Sequence, residues 1–326
     1  MTDKLALNAD ELSGLILIDK AQGSTSHDVV KRLRHLARQK TVGHTGTLDP
    51  MATGLMGVLL GQATKLEPYL VKMDKMYYGK ARLGLLTDTD DVTGKVLSSY
   101  QGAFPTKARI QEVLETFQGP SRQVPPAYSA IKVNGQPAYK AARSGKALKL
   151  APRDVTAFNL SLVEWDEPYL TFTAHVSSGY YIRALVRDLG EKLGLLSGAL
   201  SELRRLSVGP FNLNQAGPFP TSYEQISSSL IAPRNALAHL PEIELDAVKT
   251  ERLCSGNFLA PPDDKPAGVY KIIGPQGSLA ALAEITAGGC GSGARRQPQR
   301  PFLRPLRVFL RASDARSNQG REKPCR

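Results

Sequence analysis

The segment GHTGTLDPMATG, residues 43–54, most constrains how this chain can fold. Its three glycines, three threonines and single proline follow neither the period of a helix nor that of a strand. It leads directly into LMGVLLG (55–61), an apolar run that has to be buried. The sequence therefore predicts a turn that is pressed against the core and carries one acid, Asp49.

A carboxylate that faces a dry pocket is unfavourable unless a cation pairs with it. An arginine partner would keep Asp49 ionised and hold it in one rotamer, which suits a nucleophile or a general base. The alternative is that Asp49 accepts hydrogen bonds from turn amides, as aspartates often do. Residue spacing alone leaves both interpretations open.

Two other residues stand out for chemistry. MYYGKARLGLL (76–86) alternates like a half-buried strand, and Tyr77 lies on its apolar, core-facing side. YLTFTAHVSSG (169–179) has the period of a strand, and YYIRALVRDLGEKLG (180–194) then has the period of a helix. This change of period places Arg183 at a strand-to-helix junction.

The charge of the chain is unevenly distributed. Its 42 basic and 30 acidic residues give a net charge of +12. Residues 295–326 contain ten basic and two acidic residues, a net of +8, which leaves +4 for the rest. Such a balance favours a polyanionic partner, nucleic acid first, although a charged solubilising surface is the common alternative.

Metal and disulfide chemistry have little support in the sequence. The three cysteines are far apart and form no CxxC pair, and the five histidines have no HxxxH spacing. No glycine loop of the GxGxxG type follows an early strand. Metal chemistry therefore has little support, and these absences fit the activity without metal or cofactor that a family resemblance of this chain implies.

A cytoplasmic location without a membrane segment is the default expectation. The early apolar stretch LILI (15–18) is strand-length and too short to span a bilayer. The N-terminal MTDKLALNADELSG mixes acids and polar residues, which is typical of neither a signal peptide nor a transit peptide.

The pattern of elements predicts two units with a boundary near residues 230–240. The second unit reads as small and mostly β. Residues 124–149 combine prolines, basic residues and tyrosines, which suits an exposed, mobile excursion that grips a nucleic-acid strand, although a solvated loop is the commoner outcome. Residues 286–301 and 312–326 are Gly-, Pro- and Arg-rich, which predicts disorder.

GHTGTLDPMATGLM closely resembles the catalytic motif of the tRNA pseudouridine synthase B family. The resemblance covers about residues 14–215 and includes five more motifs in the family's order. They are LILIDKAQGSTSHDVV, DKMYYGKARLGLLTDTDD, VPPAYSAIKVNGQPAYKAARSG, SSGYYIRALVRDLG and LRRLSVGPF.

The resemblance implies an α+β fold in which a catalytic domain, residues 1–235, has a mixed, largely antiparallel sheet with flanking helices. Residues 124–149 would form its thumb-like RNA-binding loop. Residues 236–311, with a Gly/Arg-rich insertion at about 286–301, more weakly resemble the family's mostly-β RNA-binding PUA domain, and residues 312–326 would be a basic disordered tail. The chain is expected to act as a monomer.

The resemblance also implies a function: isomerisation of uridine to pseudouridine at position 55 in the TΨC arm of tRNA, after the uridine is flipped out. Asp49 would be the catalytic aspartate and Arg183 its partner, and Tyr77 would stack on the base and help to move a proton. Whether Asp49 attacks the sugar, attacks the base or drives an elimination stays open.

Further residues would bind the uridine or the RNA. Lys20 would support the first motif, although the following residue is Ala21, where the family usually has proline. The complete set of binding residues implied by the resemblance is Lys20, His44, Tyr181, Tyr128 and Lys132.

Three other functions compete with this interpretation. A noncatalytic RNA-binding or RNA-folding protein on the same scaffold would have no need of Asp49 near phosphates. A methyltransferase calls for a nucleotide-type glycine loop, which IDKAQGSTS fits poorly. A ribosomal or architectural RNA protein is indicated only by the basic tail.

Overall fold

The computed structural model describes residues 12–133, 135–145, 148–286 and 301–309, and of Gln276 only the main chain. Within these residues the chain forms seventeen strands and eight α-helices. The strands are β1 (Gly14–Lys20), β2 (Val42–His44), β3 (Thr53–Leu60), β4 (Lys75–Leu83), β5 (Leu85–Thr87), β6 (Val96–Ser99), β7 (Gly119–Gln123), β8 (Lys132–Val133), β9 (Gln136–Pro137), β10 (Arg153–Asp166), β11 (Tyr169–Val176), β12 (Gly198–Val208), β13 (Phe211–Asn212), β14 (Glu242–Glu244), β15 (Gly268–Ile273), β16 (Leu279–Ile285) and β17 (Leu303–Val308). The helices are α1 (Ser26–Leu36), α2 (Glu67–Leu70), α3 (Lys107–Glu115), α4 (Ala138–Arg143), α5 (Ile182–Lys192), α6 (Tyr223–Ser228), α7 (Pro233–Ala236) and α8 (Ala247–Cys254).

Nine of the described strands form one mixed sheet. Its order is β1-β3-β12-β4-β11-β10-β7, with β2 paired to β3 and β13 paired to β12. Strand β12 runs parallel to β3 and antiparallel to β4, and the pairs from β4 to β7 are antiparallel. Helix α5 contacts β12, and α3 contacts β10. The predicted α+β class, with a mixed, largely antiparallel sheet and flanking helices, is confirmed.

The predicted burial patterns also hold in the elements that carry the site. All but the first residue of β3 are buried on both faces, as its apolar run predicts. Strand β4 alternates, with Tyr77 8% exposed and Tyr78 40% exposed. Helix α1 begins after Thr25, whose hydroxyl accepts from the Asp28 amide in a capping box. The 43–54 turn is therefore followed directly by a buried strand.

Three segments differ from the sequence-based expectations. The apolar period of the sequence predicts helices over residues 24–39 and 107–119, the second ended by Gly119. Helix α1 is shorter than the first range, and α3 already ends at Glu115, since Gly119 starts β7 with φ +89°. The 124–149 segment contains the β8–β9 hairpin and α4, so it is more structured than an open loop. Burial of Ala138 and Ala141 explains the helix, because small apolar side chains let it pack closely.

The chain divides into two compact units. One comprises Ile16–Leu59 and Glu67–Ser229, and the other comprises the described parts of Met1–Leu15, Leu60–Leu66 and Leu230–Arg326. The second contains the four-stranded sheet β14-β15-β16-β17, whose core includes Ile243, Leu253, Tyr270, Ile272 and Leu303.

The assignment of the second unit as PUA-like stays a prediction. Residues 287–300 and 310–326 lie outside the described residues. They include most of the predicted insertion at 286–301 and the whole predicted tail at 312–326. In the described part of the chain, no helix is long and apolar enough to cross a membrane.

Candidate active site

The turn between β2 and β3 presents Asp49 to Arg183, in the first turn of α5. The Nε of Arg183 donates to Oδ2 of Asp49 at 2.8 Å, and its Nη2 donates to Oδ1 at 3.1 Å. The Arg183 side chain is 6% exposed and that of Asp49 is 31% exposed. Both carboxylate oxygens therefore bind one guanidinium fork, which fixes the rotamer while leaving Asp49 open to a ligand.

Arg183 also contacts two segments besides the turn. Its Nη1 donates to the carbonyl of Thr89 at 2.8 Å, and its Nη2 donates to the carbonyl of Tyr128 at 2.9 Å. A second carboxylate, that of the buried Asp91, lies 3.9 Å from Nη1. The charge and the hydrogen-bonding capacity of this buried guanidinium are thus satisfied on several sides, which keeps it rigid.

Lys20 lies beneath the turn, at the end of β1, and is 1% exposed. Its Nζ donates to the carbonyl of Ala52 at 2.6 Å and to that of Ala21 at 3.1 Å. Burial lowers the pKa of Lys20 to about 8, while the charge of Asp49 raises this pKa and that of Arg205 lowers it. Lys20 therefore contributes positive charge close to Asp49.

His44 ends β2 and lies two residues before Gly46 of the turn. Burial lowers the pKa of its imidazole, and the positive charge of Arg205 adds to this effect. Its Nδ1 accepts a hydrogen bond from the amide of Gly46 at 3.3 Å. A neutral ring with an accepting Nδ1 carries its proton on Nε2, so His44 can donate one hydrogen bond to a polar ligand.

Tyr181 lies immediately before α5. Its main-chain N–H donates to the side-chain oxygen of Gln123 at 2.8 Å, and the amide nitrogen of Gln123 donates to the Tyr181 carbonyl at 3.0 Å. Burial raises the pKa of the Tyr181 hydroxyl, which therefore stays protonated at neutral pH. The buried Gln123 thus fixes the start of the helix that carries Arg183.

The remaining predicted residues lie in different places. Tyr77 is opposite Ala174 of β11 and Arg205 of β12, in the middle of the large sheet. Tyr128 reaches the ion pair through its carbonyl. Lys132 is exposed on β8 and is not among the described hydrogen-bond partners of Arg183.

Three residues of this neighbourhood were not predicted from the sequence: Asp91, Gln123 and Arg205. Asp91 lies in DTDDVTGK, whose polar composition indicates only a turn. Gln123 ends an exposed strand and carries no recognisable signal. Arg205 had one available signal, since the two-residue period of ALSELRRLSV puts this charge on the same face as Leu203.

Solved structures of Cbf5 complexes share the fold of this chain. A crystal structure of a Cbf5–Nop10–Gar1 complex matches with a TM-score of 0.67 over 93% of this chain and 86% of that chain, at 22% identity. A structure of an archaeal box H/ACA sRNP Nop10–Cbf5 complex matches with a TM-score of 0.65 over 93% and 88%. At this identity the likeness shows the Cbf5-type fold alone.

Sequence comparison specifies the family. Residues 34–182 match the TruB family pseudouridylate synthase N-terminal domain. The tRNA pseudouridine synthase B of Geobacter sulfurreducens is 39% identical over 91% of this chain and 100% of its own length, and that of an Arthrobacter species is 42% identical over 93% and 98%. The chain belongs to the TruB family of pseudouridine synthases and is an isomerase that acts on uridine in tRNA.

Proposed function

We propose that this protein converts uridine 55 in the TΨC arm of tRNA to pseudouridine, with Asp49 as the catalytic carboxylate. The observation that carries the proposal is the two-point contact between Asp49 and the buried Arg183 fork. In the described part of the chain, the hydrogen bonds to the Asp49 carboxylate come from Arg183 and none comes from a turn amide, which favours the catalytic interpretation. The partial exposure of its side chain leaves room for a substrate.

The reaction needs a held base and one well-placed carboxylate. The N1–C1′ bond of uridine breaks with its electron pair on N1, the uracil turns, and C5 bonds to C1′. C5 then loses its proton and N1 gains one. The product is an isomer, so no net oxidation or hydrolysis occurs. Because the uracil is detached during the reaction, the uridine first has to leave the stacked loop and enter an enclosing pocket.

The surrounding residues have complementary roles in this proposal. Arg183 keeps Asp49 oriented, and Tyr77 stacks on the flipped base and helps to move a proton. His44 and Tyr181 line the pocket, and Lys20 supports the turn. Tyr128 and Lys132, in the thumb-like segment, contact the RNA.

The C-terminal unit, taken as a PUA-like domain from residue 236, would add RNA contacts. Strand β17 carries Arg304 and Arg307. The guanidinium of Arg304 forms an ion pair with Glu284. We place the protein in the cytoplasm as a monomer, where folded tRNA is its substrate.

A folded arm and an unfolded strand should behave differently as substrates. We expect a short stem-loop with the TΨC sequence to be modified at its position-55 uridine, because the enzyme recognises the shape of the loop around a flipped base. An unstructured oligonucleotide of the same composition should remain unmodified. Mapping pseudouridine in both RNAs after treatment with purified protein measures this, and equal modification of the two would contradict recognition by shape.

Replacing Tyr77 with Phe separates stacking from proton movement. Phe retains the ring, so RNA binding should persist, whereas the loss of the hydroxyl should lower the single-turnover rate by about 100-fold or more if the hydroxyl transfers a proton. Tyr78→Phe, on the exposed face of the same strand, is the matched control. Unchanged rates for Tyr77→Phe would restrict this residue to stacking.

A further inference from the structure

We infer that Arg205 is a positioning residue of this enzyme: it holds the main chain of the 43–54 turn so that Asp49 meets Arg183. The inference rests on the proposed function, because it assumes that Asp49 acts on the uridine. Arg205 acts through the backbone and does not itself touch the reacting atoms.

The guanidinium of Arg205 binds the turn at both of its ends. Its Nε donates to the carbonyl of Leu55 at 2.7 Å, just after the turn. Its Nη2 donates to the carbonyl of Gly46 at 3.2 Å, and its Nη1 lies 3.5 Å from that of Thr47. One planar fork therefore links the entry and the exit of the turn, with Asp49 between them.

Burial makes this arrangement unusual. Arg205 is 1% exposed and is among the largest fully buried side chains. Within the described residues, its hydrogen bonds go to main-chain carbonyls, and no carboxylate pairs with it. A buried cation without a counter-charge is unfavourable unless its hydrogen bonds are satisfied. Here the carbonyls that satisfy it belong to the turn that carries Asp49 or directly follow it.

Lys20 holds the part of the same turn that follows Asp49 in the chain. It donates to the carbonyl of Ala52 and lies 3.5 Å from that of Pro50. The two buried cations thus fix the backbone before and after Asp49. Their charges also act on each other, since Arg205 lowers the pKa of Lys20 after the larger effect of burial.

The backbone of Arg205 brings the turn close to the strand of Tyr77. Arg205 pairs with Gly54 of β3 on one side and with Tyr77 of β4 on the other. Gly54 has φ +99°, and a Cβ there would lie 2.3 Å from the carbonyl oxygen of Arg205. Only glycine allows this approach. Arg205 therefore stands where the strands carrying the carboxylate and the stacking ring are joined.

The test compares Arg205→Met and Arg205→Lys in the full-length protein with a TΨC stem-loop. We expect the single-turnover rate to fall about 100-fold in Arg205→Met, because a displacement of about 1 Å can have that effect. Arg205→Lys should retain part of the rate, since an ammonium reaches one end of the turn but cannot span both. The Kd for the RNA should change by less than about threefold, because phosphate contacts dominate affinity.

Lys271→Met is the matched control for removal of a buried cation. Lys271 is 3% exposed in the C-terminal unit and pairs with Glu242 at 2.8 Å. This variant should lower the melting temperature and leave the single-turnover rate unchanged. A loss of rate in Lys271→Met equal to that in Arg205→Met would show that general destabilisation explains both, and would overturn the inference.

A second readout reports the site directly. The charge of Arg205 contributes to the lowered pKa of His44, after burial. An NMR titration of the His44 ring in Arg205→Met should therefore show a higher pKa than in the wild type. If Arg205→Met does not fold, Arg205→Lys decides: a wild-type rate overturns the inference, and a reduced rate with unchanged Kd supports it.

Asp49→Asn in the same assay distinguishes the two levels of the proposal. Activity in Asp49→Asn contradicts the proposed function itself. If Asp49→Asn is inactive but Arg205→Met keeps the wild-type rate, only the role of Arg205 is overturned. The same holds if Arg205→Met changes the Kd for the RNA and not the rate.

Discussion

Asp49→Asn is expected to abolish pseudouridine formation, with a loss of at least about 1000-fold in rate, since removal of a directly reacting group typically has effects of that size. Asn keeps the size of the side chain and can still accept one hydrogen bond from Arg183, so the turn should stay folded. Binding of tRNA should change by less than about tenfold, because backbone phosphates dominate the affinity. Pseudouridine mapping and a tRNA binding titration on the same preparation measure both quantities.

Asp166→Asn is the matched control for this variant. Asp166 is exposed at the end of β10, and its replacement should alter neither rate nor binding. Normal turnover by Asp49→Asn would refute the assignment of Asp49 as the catalytic carboxylate, whatever the control shows.

Arg183→Lys should lower the single-turnover rate by about 100-fold or more, because lysine keeps the charge and loses the fork. The native side chain donates to Asp49 and also to the carbonyls of Thr89 and Tyr128. An ammonium cannot reproduce this geometry, and unsatisfied buried carbonyls should also lower the melting temperature. Rate and melting curves of the variant provide the measurement.

Arg109→Lys provides the control for the change of residue type. Arg109 is 53% exposed on α3 and forms an ion pair with Glu112. Such exposed ion pairs contribute little to the stability of the fold. It should behave as the wild type in both assays. A wild-type rate in Arg183→Lys would show that charge alone suffices at this position and that the fork has no catalytic consequence.

Local patterns in the sequence were sufficient to place the main parts of the site. The two-residue period of 76–86 put Tyr77 on the core-facing side, and it is buried. The change from strand to helix period put Arg183 near the start of α5, which the structure confirms. These features depend on neighbours in the chain, and short-range rules describe them well.

Motif resemblance supplied what local patterns could not. Asp49 was open to a turn-amide interpretation from spacing alone, and the family motif favoured an arginine partner. The structure contains that pair. The catalytic role of Asp49 remains a prediction that Asp49→Asn tests, and the roles of the binding residues remain predictions as well.

Only the tertiary structure decided which distant residues meet. Asp49 and Arg183 are 134 positions apart, and Arg205 reaches Leu55 across 150 positions. The sequence of each strand fixes its own faces, but the order of strands in the sheet fixes which faces come together. Strand β12 lies between β3 and β4, and this placement alone brings Arg205 between Gly54 and Tyr77. The lowered pKa of Lys20 has the same origin. Packing of the chain, and not the position of Lys20 in the sequence, buries this side chain and brings Asp49 and Arg205 near it.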